Sequence, residues 1–163
     1  YGYGRGGYGR YGGYGGYGYG DSGRINAIWD YAEPIEVQGG SLRTFSFSSR
    51  EIEAVQVALR TEGRPLNADV DLWQGPDNTP QKMKVYIEEA DMRPFNALIA
   101  TPRGENTVSI RNTAQLEFPL AAAVEADYSR DLSADIMDLS ERSRPATIQG
   151  GALKTYSFAQ AVQ

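Results

Sequence analysis

Between Pro34 and Val124 the apolar residues recur at every second position, and only in short runs. Phe45 and Phe47 sit in the alternating run Thr44-Phe-Ser-Phe-Ser. Val55, Val57 and Leu59 alternate with Gln56 and Ala58, and Val70 and Leu72 with Asp69, Asp71 and Trp73. Val85 and Ile87 flank Tyr86. Phe95, Ala97 and Ile99 form another run, Val108 and Ile110 alternate with Ser109 and Arg111, and Leu116, Phe118 and Leu120 end the series. A period of two places alternate side chains on opposite faces of a strand. Turn chemistry separates the runs: Gly39-Gly40, Glu62-Gly63, Gly75-Pro-Asp-Asn78, Pro102-Arg-Gly104 and Arg111-Asn112. Seven or eight such strands, spaced by about ten residues, predict an all-β fold, an antiparallel two-sheet sandwich of jelly-roll-like form. Half-polar strands predict antiparallel pairing with one face wet. A core of this size gains from neighbours that cover its edges.

The opening of this region is copied near the end of the chain. Pro34-Ile-Glu-Val-Gln-Gly-Gly-Ser-Leu-Arg-Thr-Phe-Ser-Phe47 returns 111 residues later as Pro145-Ala-Thr-Ile-Gln-Gly-Gly-Ala-Leu-Lys-Thr-Tyr-Ser-Phe158, with eight of fourteen positions identical. Val37/Ile148, Ser41/Ala152, Arg43/Lys154 and Phe45/Tyr156 are close exchanges. An unpaired strand needs a sheet to join. Residues 145–163 are therefore expected to begin a second repeat, either severed from a second domain or docked on a neighbouring subunit. The inward set is expected to be Val37, Leu42, Phe45 and Phe47, with Ile148, Leu153, Tyr156 and Phe158 as counterparts that carry assembly. The two Gly-Gly doublets are expected to mark a shared bend or bulge.

The flanks read differently. Residues 1–20 hold eleven glycines, seven tyrosines, Arg5 and Arg10, with no aliphatic residue to build a core. Tyr1, Tyr3, Tyr8, Tyr11, Tyr14, Tyr17 and Tyr19 can stack on one another, on arginine, on bases or on sugars, which makes the tail a cohesive sticker or a plain spacer. Residues 21–33 form a connector whose Trp29 and Tyr31 are expected to cover a domain edge. Residues 34–124 are the sandwich. Residues 125–144 form an acidic linker in which Leu132, Ile136 and Leu139 fall at i, i+4 and i+7, a short surface helix capped by Asp131 or Ser133. The start at Tyr1 without methionine suggests a processed or excised form.

Composition narrows the chemistry. The chain has no cysteine and no histidine, which removes thiolate chemistry, the commonest general base and the commonest metal ligand. Its serines have no imidazole to activate them. Glu88, Glu89 and Asp91 read as solvated charge at a strand end. Asp69, Asp71, Asp77 and Asn78 offer oxygens for calcium but lack EF-hand spacing. Trp73 reads as the packed base of a hairpin loop. No cofactor motif is present and no enzyme is expected. A formal net charge of -5 argues against nucleic acid as the main partner. No apolar run is long enough for membrane insertion.

The run Leu72-Trp-Gln-Gly-Pro-Asp-Asn-Thr-Pro-Gln-Lys-Met-Lys-Val-Tyr-Ile87, with Arg93–Arg103, Asn106–Asn112 and Glu117-Phe-Pro-Leu120, resembles the pyrenoid shell proteins of diatoms and related algae. The resemblance covers roughly Pro34 to Val124 plus the restart at Pro145. It implies two homologous β-rich domains and assembly into thin sheets around the carbon-fixing compartment of the plastid. The chain holds only the opening of a second domain, and its Tyr-Gly-Arg tail departs from the family pattern, which leaves an extracellular fibre as the other location. The expected function is structural self-assembly into a shell, sheet, tube or filament, with the chain itself as partner. The second reading is a binding module, a sandwich for carbohydrate or a tail for RNA. A looser likeness is to bacterial prepeptidase C-terminal sandwiches, which are accessory modules.

Overall fold

The computed structural model describes residues 27–75, 80–101, 104–127 and 131–158. The seven sticker tyrosines, Asp77 and Asn78 lie outside them. Eight strands form two four-stranded sheets: β1 (Ile35–Val37), β2 (Leu42–Phe47), β3 (Ala54–Arg60), β4 (Leu66–Gln74), β5 (Gln81–Ile87), β6 (Phe95–Ala100), β7 (Asn106–Asn112) and β8 (Leu120–Ala126). The orders are β1-β8-β3-β6 and β2-β7-β4-β5, and every pairing is antiparallel. This is an all-β two-sheet sandwich, as the alternation predicts. Successive strands alternate between the sheets except at β4 and β5, which pair as a hairpin within one sheet.

The inner faces interdigitate. Val55, Val57 and Leu59 on β3 meet Leu66, Val70 and Leu72 on β4 and Val108 and Ile110 on β7 in one buried cluster. Each such side chain contributes about 1.5–3 kcal/mol when fully buried. The outer face of the β3 sheet is covered by α1 (Ile28–Tyr31), whose Ile28, with Ala32 just after the helix, packs on Ala58 and Ala123. The small Ala58 and Ala123 let the helix approach. They explain why β3 is buried on both faces while its sequence alternates with Gln56. Trp29 packs there beneath Arg60, whose guanidinium carbon is 4.3 Å from the ring centroid. Tyr31 stays exposed. The covering residue of the connector is thus chiefly Ile28, alongside Trp29.

Other expectations need correction. The final strand starts at Leu120, so Leu116 and Phe118 precede it. Leu116 is exposed, and Phe118 donates its N–H to the Gln115 carbonyl in a turn and stacks under Arg64 at 4.2 Å. Pro119 cannot donate a ladder hydrogen bond, which limits how early the strand can start. Leu42 does not face inward. It is 45% exposed, because Phe45 and Phe47 pack on the core and a residue three positions before Phe45 takes the opposite face. The linker helix α2 spans Asp131–Arg142. Its early N–H at Ser133 is received by the Asp127 carboxylate at 3.1 Å, so Ser133 supplies a donor rather than the cap. Residues 143–158 contain no strand within this single chain.

Candidate assembly site

The chain crosses from one sheet to the other at Gln38–Ser41. Ser41 donates its N–H to the Gln38 carbonyl at 3.0 Å, and Gly40 holds φ +76°, the left-handed value that a type II turn requires at its third position. This corner sits in a seat made by the β7–β8 connection. Asn112, fully buried at the end of β7, donates from Nδ2 to the Val37 carbonyl at 2.9 Å and to the Phe118 carbonyl at 2.8 Å. Its Oδ1 accepts from the Ala114 N–H at 2.9 Å. Its backbone accepts from the Gly40 N–H at 2.8 Å and donates to the Ser41 carbonyl at 3.0 Å. A methyl group at Gly39 would lie 1.6 Å from the Gln115 carbonyl oxygen, so only glycine fits. Val37 is wholly buried beside Leu120, its register partner on β8.

The second copy keeps the corner and lacks the seat. Ala152 donates its N–H to the Gln149 carbonyl at 3.0 Å, and Gly151 also holds φ +76°. All residues from 141 to 158 are exposed. Ile148 is 55%, Leu153 88%, Tyr156 60% and Phe158 95% exposed. A methyl group at Gly150 would meet nothing within 4 Å. Two fourteen-residue segments thus share a turn geometry, one clamped in a sandwich and one in solvent.

The remaining candidates lie elsewhere. Asp69 and Asp71 share the outer face of β4. Asp69 faces Arg111 and Lys84 across the sheet, and Asp71 faces Ser109 and Lys82, whose Nζ is 3.9 Å from the carboxylate. Trp73 ends that row and is partly exposed, and the loop that follows Gly75 lies outside the described residues. Glu88, Glu89 and Asp91 are exposed in a turn after β5. Among the described residues no group of acidic side chains is arranged to hold a metal ion, and no helix is long and apolar enough to cross a membrane. Asn112 and Gln115, the residues that clamp the first corner, were not picked out by sequence reasoning beyond the turn chemistry of Arg111-Asn112. Their partners are distant in the chain, so no local pattern announces them.

Fold and site together define a class: an antiparallel β-sandwich protein whose first corner is repeated in sequence and turn geometry at residues 149–152. A family model described as diatom pyrenoid shell protein matches residues 29–163, and the chain belongs to that family. No curated protein matches it. Among solved structures, a family 115 4-O-methyl-α-glucuronidase with specificity for decorated arabinogalactans is 16% identical, with a TM-score of 0.38 over 57% of this chain. This chain spans 14% of that enzyme's length. A family 16 carbohydrate-binding module is 14% identical, with a TM-score of 0.37 over 60% of this chain and 77% of the module. A protein from Sulfurospirillum deleyianum is 10% identical, with a TM-score of 0.36 over 58% of this chain and 98% of its own.

Proposed function

We propose that this chain is a structural subunit that assembles with copies of itself into a shell or sheet around the pyrenoid of the plastid, and that it is not a catalyst. Family membership supports the structural role and the location. The observation behind self-assembly is that Ile148, Leu153, Tyr156 and Phe158 are large apolar side chains more than half exposed on a segment copied from the sandwich's own strands, with Tyr156 and Phe158 on one face and Leu153, like Leu42, on the other. Exposed apolar surface next to unpaired backbone favours strand addition to another sheet. A head-to-tail contact of this kind propagates wherever its rotation does not close a ring.

The test is electron microscopy of the purified full chain beside a version ending at Arg144, which keeps β8 and α2 whole. Sheets, tubes or filaments from the full chain alone support the reading. Monomers from both preparations, over a wide range of concentration, contradict it.

A further inference from the structure

The outer face of the β2-β7-β4-β5 sheet carries two aromatic rings that a merely wet surface does not need. Strand alternation puts Asp69, Asp71 and Trp73 of β4 on that face, with Lys82, Lys84 and Tyr86 of β5 beside them. The charged members of this set are at home in water. Trp73 and Tyr86 leave 37% and 62% of their surfaces there, apolar area whose burial would be favourable.

The two rings bracket a track. Tyr86 is the register partner of Asn67, and Trp73 lies six residues further along β4, so the rings stand roughly 20 Å apart along the seam of two strands. Between them Asp69 faces Lys84 and Asp71 faces Lys82, the second pair at 3.9 Å. Each pair sets acceptor oxygens beside an ammonium group with its donors. The Trp73 end is held in place from β7. Thr107 is its register partner, and Gly75, two residues on, donates its N–H to the Glu105 carbonyl at 3.0 Å. A platform fixed in this way binds with little ordering cost.

From this we infer that the β4–β5 seam is a binding track for an extended, neutral polysaccharide chain. Trp73 and Tyr86 are stacking platforms at its two ends, and the two acid–lysine pairs serve the hydroxyls between them. A pyranose ring has a face of C–H bonds with partial positive charge, which suits the negative face of an aromatic ring. Its rim of hydroxyls donates and accepts, as the acid–lysine pairs require. Charge selects the ligand. Asp69 and Asp71 run along β4, between the lysines of β5 on one side and Arg111 and Ser109 of β7 on the other. A polyanion laid on the rings would cross both carboxylates, so a nucleic acid does not fit despite the platforms. The track belongs to a single sandwich and does not depend on assembly.

The test is affinity electrophoresis of the full chain in native gels that hold, one at a time, laminarin, mixed-linkage β-glucan or glucomannan. Alginate and single-stranded polyuridylate are the polyanionic comparisons. Parent, Trp73→Ala and Tyr86→Ala run side by side. At least one neutral glycan is expected to retard the parent, and each variant is expected to weaken that binding about tenfold, the size of one lost ring contact. Urea midpoints check the fold, and should Trp73→Ala fall below the parent, the more exposed Tyr86→Ala decides. Tryptophan emission is the second readout. The retarding glycan should shift the parent's emission, and the shift should vanish in Trp73→Phe, which keeps only Trp29 on the other sheet. No retardation by any of the three neutral glycans, or retardation that both alanine variants leave unchanged, overturns the inference. Retardation by alginate or polyuridylate alone, lost in the same variants, overturns the choice of a neutral ligand.

Discussion

Asn112 donates from Nδ2 to the Val37 carbonyl at 2.9 Å, a bond that spans 75 residues of sequence and ties the start of one sheet to the end of a strand in the other. The same amide serves the Phe118 carbonyl and the Ala114 N–H. The first corner of the sandwich, and the turn that leads into its last strand, thus depend on one buried side chain.

Replacing Asn112 by alanine strands two carbonyls and one N–H. A buried polar group left without its partner costs about 1–3 kcal/mol. Because water reaches part of this site after truncation, a loss of roughly 3 kcal/mol is expected. Urea unfolding measures it as a lower midpoint with an unchanged slope. A loss below about 1 kcal/mol would show that the clamp is dispensable.

Arg60 lies over Trp29 at 4.3 Å from the ring centroid. A guanidinium on an indole face contributes about 0.5–1 kcal/mol at a partly exposed site. Arg60→Ala should cost about that much. It should also move the Trp29 fluorescence to longer wavelength when read in a Trp73→Phe background, because α1 then sits less firmly on the sheet. An emission spectrum identical to the parent's refutes the stacking.

How much of this was legible depended on whether each residue's environment was set by its neighbours in sequence. β4 reads directly, because Val70 and Leu72 enter the core while Asp69 and Asp71 stand on the wet face. β8 was harder. Its Leu-Ala-Ala-Ala-Val-Glu-Ala run has little alternation, since the core takes one face and α1 takes the other at Ala123, and alanine is a poor strand former. Hydrophobicity alone points Leu42 inward, whereas its spacing from Phe45 and Phe47 puts it on the opposite face, where it is found. The turn at Gly40 was visible as a glycine doublet. The reason for Gly39 was not, because Gln115 lies 76 positions away in the chain and meets it only after folding.

The Tyr31 phenol is held above its ordinary pKa by burial first, then by the carboxylates of Glu125 and Asp127. The folded state therefore binds this proton more tightly than the unfolded chain does. The resulting stabilisation is fully present below the unfolded value of about 10 and is lost as pH rises through the higher folded value. The side chain is 63% exposed, so solvent screening keeps the effect small. Ultraviolet titration of the parent against Tyr31→Phe should reveal one late-ionising tyrosine. Glu125→Gln should bring its ionisation back toward the ordinary value. A difference titration with no late component contradicts the assignment.

Tyr156 and Phe158 share one face of the second copy by their spacing of two, as Phe45 and Phe47 share the inner face of β2. In the isolated chain they are 60% and 95% exposed, so the sandwich does not use them. Substituting both by aspartate should leave the urea midpoint within about 0.5 kcal/mol of the parent, the range usual for surface changes away from packed contacts. In an assembled state that buries this pair, two carboxylates without partners are not tolerated. The double variant should therefore stay monomeric at concentrations where the parent forms polymers. Sedimentation of the two proteins side by side decides it. Polymers of normal size from the variant would remove the second copy from the assembly contact, whereas a shifted urea midpoint would place these residues in the fold instead.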